Sequence, residues 1–288
     1  IKGSVPREVG AKMIVCSDRI FGTIGGGAGE AKVIQQSLIV LETGQKQSIE
    51  IDLTGAPQRE TQGICGGKMQ VWLERWSGEA AIALVQNILH LLNGQTSTLV
   101  TPFDANRSPY LVHLAESTPL NAFVETLQPP PTLLIIGAGH VGEQLAKVAH
   151  LIGFQIMVQD DRAEWANSQR YPDASGIFNG SIAEVIKQFS AHSNLYVALV
   201  TRGYQYDLAA LECLLKRDIA YAYIGMIGSE KRVRQVYQAL EKIGISENKL
   251  RGICAPIGLE IGALTPEEIA VSIAAELVSV RRRGVAIA

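Results

Sequence analysis

At 288 residues, with 47% hydrophobic and 19% charged content, the chain is long enough for a filled interior and for two domains. Its formal net charge of −2 leaves no broad basic surface, which argues against duplex nucleic acid as a partner. The four cysteines, Cys16, Cys65, Cys213 and Cys254, lie far apart without the close spacing of a zinc or redox pair, and no apolar run reaches the roughly 20 residues that cross a bilayer.

Such scattered cysteines suit a reducing cytoplasm, and no secretory leader is recognisable. The chain begins at Ile1, so its natural start is expected upstream. In the first 126 residues, "AKMIVCSDRIFGTIGGG" reads as two short strands around a turn at Ser17-Asp18-Arg19. "QSIEIDL" and "KMQVWLERW" read as further strands. Helices are expected at 28–43 and 79–92, and the mixture predicts an α+β domain over 1–126. The stretch "LQPPPTL" follows, Leu127 to Leu133. Its prolines fix φ and remove backbone donors, so a linker at 127–131 separates this domain from a second one over 132–288.

Beyond the linker the pattern alternates. Strands are predicted at 132–136, 154–160, 176–179, 194–201 and 220–227, with helices at 140–152, 163–170, 181–190, 206–217 and 229–243 between and after them. Apolar strands separated by helices imply parallel pairing through right-handed crossovers, which is a doubly wound, Rossmann-type α/β sheet. Near the end, Thr265, Pro266 and Glu268 make a capping box with proline at the first helical position. That helix buries Ile269, Ile273, Ala274 and Leu277, and closes on Arg281, Arg282 and Arg283, cations suited to its negative end.

The strongest local signal is Gly137-Ala138-Gly139-His140-Val141-Gly142 between a predicted strand and a predicted helix, with Asp160 closing the next strand. Gly137 permits the tight turn, Gly139 admits an approaching diphosphate, and Gly142 lets helix pack on strand. First-turn N–H groups then face the anion, and Asp160 is placed to accept ribose hydroxyls. Close packing with no nucleotide held is the competing reading of these glycines. His140 either touches a phosphate or covers the helix start, and Arg162 either reaches a phosphate or pairs with a neighbouring acid. Thr201 ends a strand and releases Arg202 into the crevice at the strand ends, ahead of Tyr204, Tyr206 and Asp207. Gly225, Gly228 and Ser229 follow another strand in the same way. Lys231 and Arg232, cations at an expected helix start, oppose the macrodipole there, which leaves an anionic ligand or plain solvent exposure as their reason.

Six stretches together resemble one family: "GSVPREVGAKM", "GTIGGGAGE", "CGGKMQVWLE", "IIGAGHVG", "YIGMIGSEKR" and "APIGLEIGALTPEEIAVSIAAELV". They are similar to the xanthine dehydrogenase accessory proteins of the XdhC and CoxI family, over almost the whole chain, and the family's opening strand is expected upstream of Ile1. The resemblance implies a cytoplasmic chaperone that binds the molybdenum cofactor, as molybdopterin or its dinucleotide form. Such a chaperone works with a cysteine desulfurase in sulfuration and delivers the cofactor to a molybdenum hydroxylase apoenzyme. A homodimer is the expected assembly. Arg7, Lys12, Gly26 and Gly27 are candidates for an anion-receptive wall, with the cofactor expected between the domains. Many relatives carry cysteine in a Gly-Gly-Cys-x-Glu motif where this chain has Ala28. Cys65 is therefore left as the single candidate for a molybdenum contact or sulfur carrier, with an inert half-buried thiol as the alternative. Cys16, Cys213 and Cys254 read as packing.

A second reading is an NAD(P)-dependent oxidoreductase using the same glycine loop. No Tyr-x-x-x-Lys or other defined acid–base set accompanies it, so no catalytic residue is assigned.

Overall fold

The computed structural model describes residues 3, 5–53, 67–112, 121–189, 192–216 and 221–284. The chain forms two compact units, Ile1–Leu89 with Ser97–Thr126, and His90–Thr96 with Leu127–Ala288.

In the first unit, β1 (Met13–Val15) and β2 (Ile20–Gly22) pair antiparallel around the Ser17–Arg19 turn. Helix α1 (Gly27–Thr43) ends at Gly44, which takes a left-handed conformation with its N–H on the Val40 carbonyl. Strands β3 (Gln47–Asp52) and β4 (Lys68–Leu73) form a second antiparallel pair. Its apolar side meets α1 in a core of Ile24, Val33, Val40, Ile49, Ile51, Leu53, Met69 and Leu73. After α2 (Gly78–Leu91) come β5 (Ser97–Pro102), β6 (Tyr110–Val112) and β7 (Ala122–Leu127), a three-stranded sheet in the order β6-β5-β7. The sequence pattern does not signal this last sheet. The unit is α+β, as its composition of elements predicts.

In the second unit, β8 (Thr132–Ile136), β9 (Gln155–Gln159), β10 (Gly176–Phe178), β11 (Leu195–Leu199) and β12 (Tyr223–Met226) make one sheet. Its order is β10-β9-β8-β11-β12, and every neighbouring pair is parallel. This is the order of a Rossmann fold. The chain at Cys254 bridges Gly225 in parallel, prolonging the sheet past β12. Period-two alternation sends Leu134 and Ile136 into one buried cluster and Leu133 and Ile135 into the other. The first cluster is covered by α4 (Ile182–Gln188), α5 (Tyr204–Leu215), α6 (Glu230–Lys242) and α7 (Glu247–Arg251). The second is covered by α3 (His140–Leu151) and α8 (Pro266–Arg283). Each fully buried aliphatic side chain in these layers contributes about 1.5–3 kcal/mol.

The capping box at Thr265 and Glu268 is present, as is a second one at Ser181 and Glu184. Two expectations are corrected. Residues 163–170 form turns rather than a helix, because the Asn167 side-chain oxygen accepts the Gln169 and Arg170 amides at 3.1 Å each, a local bond that competes with helix. Helix α5 begins at Tyr204, two residues before the predicted start at 206, so Tyr204 joins Tyr206 and Asp207 in its first turn.

Candidate functional site

The register of the sheet sets its carboxyl edge. Phe178, Gln159, Ile136, Leu199 and Met226 lie in one row across five strands, so the chain leaves the sheet together at Gly137, Asp160, Val200 and Ile227. Between β8 and β11 the direction of winding reverses, and in open α/β sheets ligands bind in that crevice. A cavity of about 190 Å³ lies there, between the ends of β8, β9 and β11 and the start of α4. It is smaller than the roughly 300–1,000 Å³ of a typical ligand pocket, with room for only part of a molecule of that size.

The three glycines of the turn have different reasons. Gly137 has φ of 111°, and a Cβ there would sit 2.5 Å from the Val200 carbonyl oxygen. A Cβ on Gly142 would collide with the Gly137 oxygen. Packing alone demands both. A Cβ on Gly139 would meet nothing within 4 Å, so packing does not explain that glycine. Gly139 is also the cap residue of α3 and supplies no side-chain bond to it, leaving the amides of His140 and Val141 uncapped by the protein, with the positive end of the peptide dipoles behind them. His140 itself is exposed and meets the Trp165 ring edge-on at 5.6 Å. Arg162 and Arg170 flank the same ring, 4.8 and 4.3 Å from its centre.

Asp160 is not placed as expected. Its side chain is 3% exposed. The Ala138 amide donates to Oδ2 at 2.8 Å, and Arg162 donates from Nε and Nη2 at 2.9 Å each as well as from its own amide at 3.1 Å. Burial would raise the carboxyl, but Arg162 and the two amides outweigh it and hold the pKa at about 2. Asp160 therefore ties the glycine turn to β9, and its oxygens are occupied by protein donors rather than open to a ribose diol. Arg162 is its partner.

Arg202 does enter the crevice. Its Nη1 and Nη2 donate to Asp161 Oδ1 and Oδ2 at 2.8 and 2.9 Å, and it lies over the Tyr206 ring at 3.9 Å. Thr201, by contrast, faces inward: its hydroxyl donates to Asp207 Oδ1 at 2.6 Å. Arg232 donates from Nε to Asp207 Oδ2 at 2.6 Å and from Nη2 to the Thr201 hydroxyl at 3.0 Å. Burial pushes the Asp207 carboxyl up, opposed by Thr201 and Arg232. The anion that places Arg232 at a helix start is thus the protein's own buried carboxylate, 25 positions back in the chain. No local sequence pattern signals this pair.

Gly225 is buried within β12, where a Cβ would collide with the Tyr223 hydroxyl and meet Ile257 at 2.5 Å; its reason is packing. Gly228 precedes α6, and the Ser229 hydroxyl caps that helix by accepting the Arg232 amide. Tyr223 donates to Glu276, which also accepts the Gly258 amide at 2.9 Å. The long motif before and along α8 therefore carries a buried polar tie. Burial beside Glu276 raises the Cys254 thiol to about 12, against the Tyr223 hydrogen bond, which makes it an inert packing residue. Burial likewise raises Cys213.

In the first unit, Lys12 donates to the Gly10 carbonyl at 3.2 Å and is paired with Glu125. Glu30 accepts the Thr23 hydroxyl and the Ile24 and Gly26 amides, at 2.5, 2.9 and 3.1 Å. The Thr23 bond leads, and against the cost of burial these donors hold its carboxyl below the ordinary range. Arg7 and Gly27 are exposed. Cys65 lies outside the described residues. Among the described residues, no cluster of three or more His, Cys, Asp or Glu side chains is arranged to hold a metal, and no helix is long and apolar enough to cross a membrane.

Comparison with known proteins follows the same division. The XdhC Rossmann domain family matches residues 133–277, and the XdhC and CoxI family matches residues 1–52. A probable xanthine dehydrogenase subunit of Bacillus subtilis is 25% identical over 315 residues, spanning 98% of this chain and 91% of its own. The molybdenum cofactor insertion chaperone PaoD of Escherichia coli is 25% identical over 286 residues, 98% of this chain and 81% of its own. The uncharacterized Escherichia coli protein YqeB is 26% identical over 281 residues, but this chain spans only 42% of that protein. A solved structure from Bacillus halodurans, described as a xanthine dehydrogenase, superposes with a TM-score of 0.79 at 24% identity, covering 98% of this chain and 89% of that one; it shows the shared fold.

Proposed function

The chain belongs to the XdhC and CoxI family, and from that premise we propose that it is a chaperone for the molybdenum cofactor, binding it and handing it to a molybdenum hydroxylase of the xanthine dehydrogenase type. The name of the Escherichia coli relative, an insertion chaperone, supports the cargo, and that of the Bacillus subtilis relative supports the client. The observation that carries the reading is Gly139, whose missing side chain opens the uncapped first turn of α3 without any packing reason. Such a turn suits a phosphate, and the cofactor's pterin carries one. The protein acts in the cytoplasm, alongside a cysteine desulfurase that supplies sulfur, and Cys65 is the candidate sulfur carrier.

The competing reading, an NAD(P)-dependent oxidoreductase, draws on the same Rossmann order. Against it stands Asp160, the acidic residue that would bind the ribose diol, which is already saturated by Arg162 and Ala138. The test is to purify the protein from a molybdenum-replete host and measure metal and pterin content, with Gly139→Val and Cys65→Ser in parallel. Molybdenum and pterin are expected with the unaltered protein and depleted in Gly139→Val. A metal-free, pterin-free protein that binds NADH tightly would overturn the reading.

A further inference from the structure

The crevice is charge-balanced by its own side chains, but its ion pairs differ in permanence, and Arg202 Nη1 also reaches the buried Asp160 Oδ1 at a longer 3.5 Å. Arg162 grips a carboxylate that is 3% exposed, whereas the partner of Arg202, Asp161, is 53% exposed. Arg202 is fixed from one side by the Tyr206 ring, 3.9 Å away, and by a hydrogen bond with the Tyr206 hydroxyl. Arg202 and Asp161 both line the 190 Å³ cavity, and the Nη1 and Nη2 edge of Arg202 is covered by the two oxygens of Asp161 at 2.8 and 2.9 Å. A planar, preorganised fork of this kind suits a phosphate. The carboxylate on it is 53% exposed, so water and salt screen the pair and compete for it far more than for the buried Arg162–Asp160 pair.

We infer that Asp161 is a stand-in anion: it covers the edge of Arg202 that a phosphate monoester takes when a phosphorylated ligand enters, and it then turns out into solvent. The monoester brings a charge of about −1.5 to −2 at neutral pH against the single charge of the carboxylate, so it wins the fork. With Asp161 displaced, Arg162 and Arg202 against Asp160 leave one net positive charge facing the ligand. The inference rests on the reading that this crevice holds a phosphorylated molecule. Two sources share that chemistry, the pterin phosphate of the molybdenum cofactor and the 2′-phosphate of NADP.

Titration calorimetry with molybdopterin, NADP+ and NAD+ on the full chain, using Asp161→Asn, Arg202→Ala and the double variant, decides the matter. Asp161→Asn is expected to tighten binding of the phosphorylated probe by about three- to fivefold, the release of one exposed pair. Arg202→Ala weakens it by more than about tenfold, the loss of a charge-assisted fork. The double variant shows no gain over Arg202→Ala alone. A gain that survives without Arg202, or no gain at all in Asp161→Asn, overturns the stand-in role. If molybdopterin binds and depends on Arg202 while Asp161→Asn changes nothing, the chaperone reading stands and only the stand-in falls. If NADP+ follows the expected pattern, NAD+ binds weakly and molybdopterin does not bind, the stand-in is upheld and the chaperone reading falls. Binding of no phosphorylated probe by any variant removes both.

Discussion

Replacing Asp160 with asparagine keeps the side chain's shape and removes the charge that joins the glycine turn to β9. The folded-state pKa is depressed from an ordinary 3.8 to about 2, and at roughly 1.4 kcal/mol per unit this difference amounts to about 2 kcal/mol of stability. Burial of the side chain, 3% exposed, means that little of this is screened away. Because the folded state binds the proton more weakly than the unfolded one, the contribution is complete above the unfolded value. It is lost as the pH falls through the folded one, with about half remaining near pH 3. Urea unfolding at pH 7, 5, 4 and 3 measures it. Of the three tryptophans only Trp165 lies in the second unit, so a background of Trp72→Phe and Trp76→Phe makes fluorescence report on that unit alone. Asp160→Asn should be about 2 kcal/mol less stable than its parent at pH 7, with the gap closing as acid is added. A gap that stays constant from pH 7 to pH 3 would refute the assignment of Asp160 as a charged anchor.

Two further outcomes follow from buried polar groups. Arg232→Ala strands the fully buried Asp207 carboxylate, at a cost of about 3–5 kcal/mol near pH 8. Removing Arg232 takes away a charge that opposes the burial-driven rise of this carboxyl, so the variant takes up a proton more readily and the cost should shrink as the pH is lowered from 8 to 5; equal losses at both values, read by far-UV circular dichroism in urea, would sink this. Glu276→Gln weakens the acceptor shared by the Tyr223 hydroxyl and the Gly258 amide, and a loss of about 1–3 kcal/mol is expected; an unchanged melting temperature would show that the tie is idle.

Much of the second unit is legible in the sequence because a parallel sheet buries both faces of each strand. Leu133 to Ile136 is a continuous apolar run that stops at glycine, and this pattern has few other readings. Strands β5 to β7 escape such a reading because runs such as "STLVTP" and the three-residue β6 carry too little period to distinguish them from loop. The expected helix at 163–170 fails for the opposite reason: its composition permits helix, and only the Asn167 side chain decides otherwise. At the site, the glycine turn is readable and its electrostatics are not. Asp160, Arg162, Asp207 and Arg232 look in sequence like groups awaiting a ligand. The Arg162 pair with a neighbouring acid is one of the two readings its sequence allows, but the burial that fixes Asp160 in it is not visible there, and the Asp207–Arg232 pair spans 25 positions, which no local pattern reveals.

Arg281, in the last turn of α8, donates from Nη1 to the Ile152 carbonyl at 3.0 Å and lies over the Phe154 ring at 5.0 Å. It thus satisfies a carbonyl at the trailing terminus of α3. The two ends of α3 therefore differ: the leading one has no side-chain cap, and the trailing one is fastened by a residue 129 positions downstream. Whatever force a bound molecule exerts on the leading amides is resisted by the final helix of the domain. A minimal ligand-capturing fragment would accordingly have to run through Arg281, and one trimmed before it would hold its amides on a loosened rod.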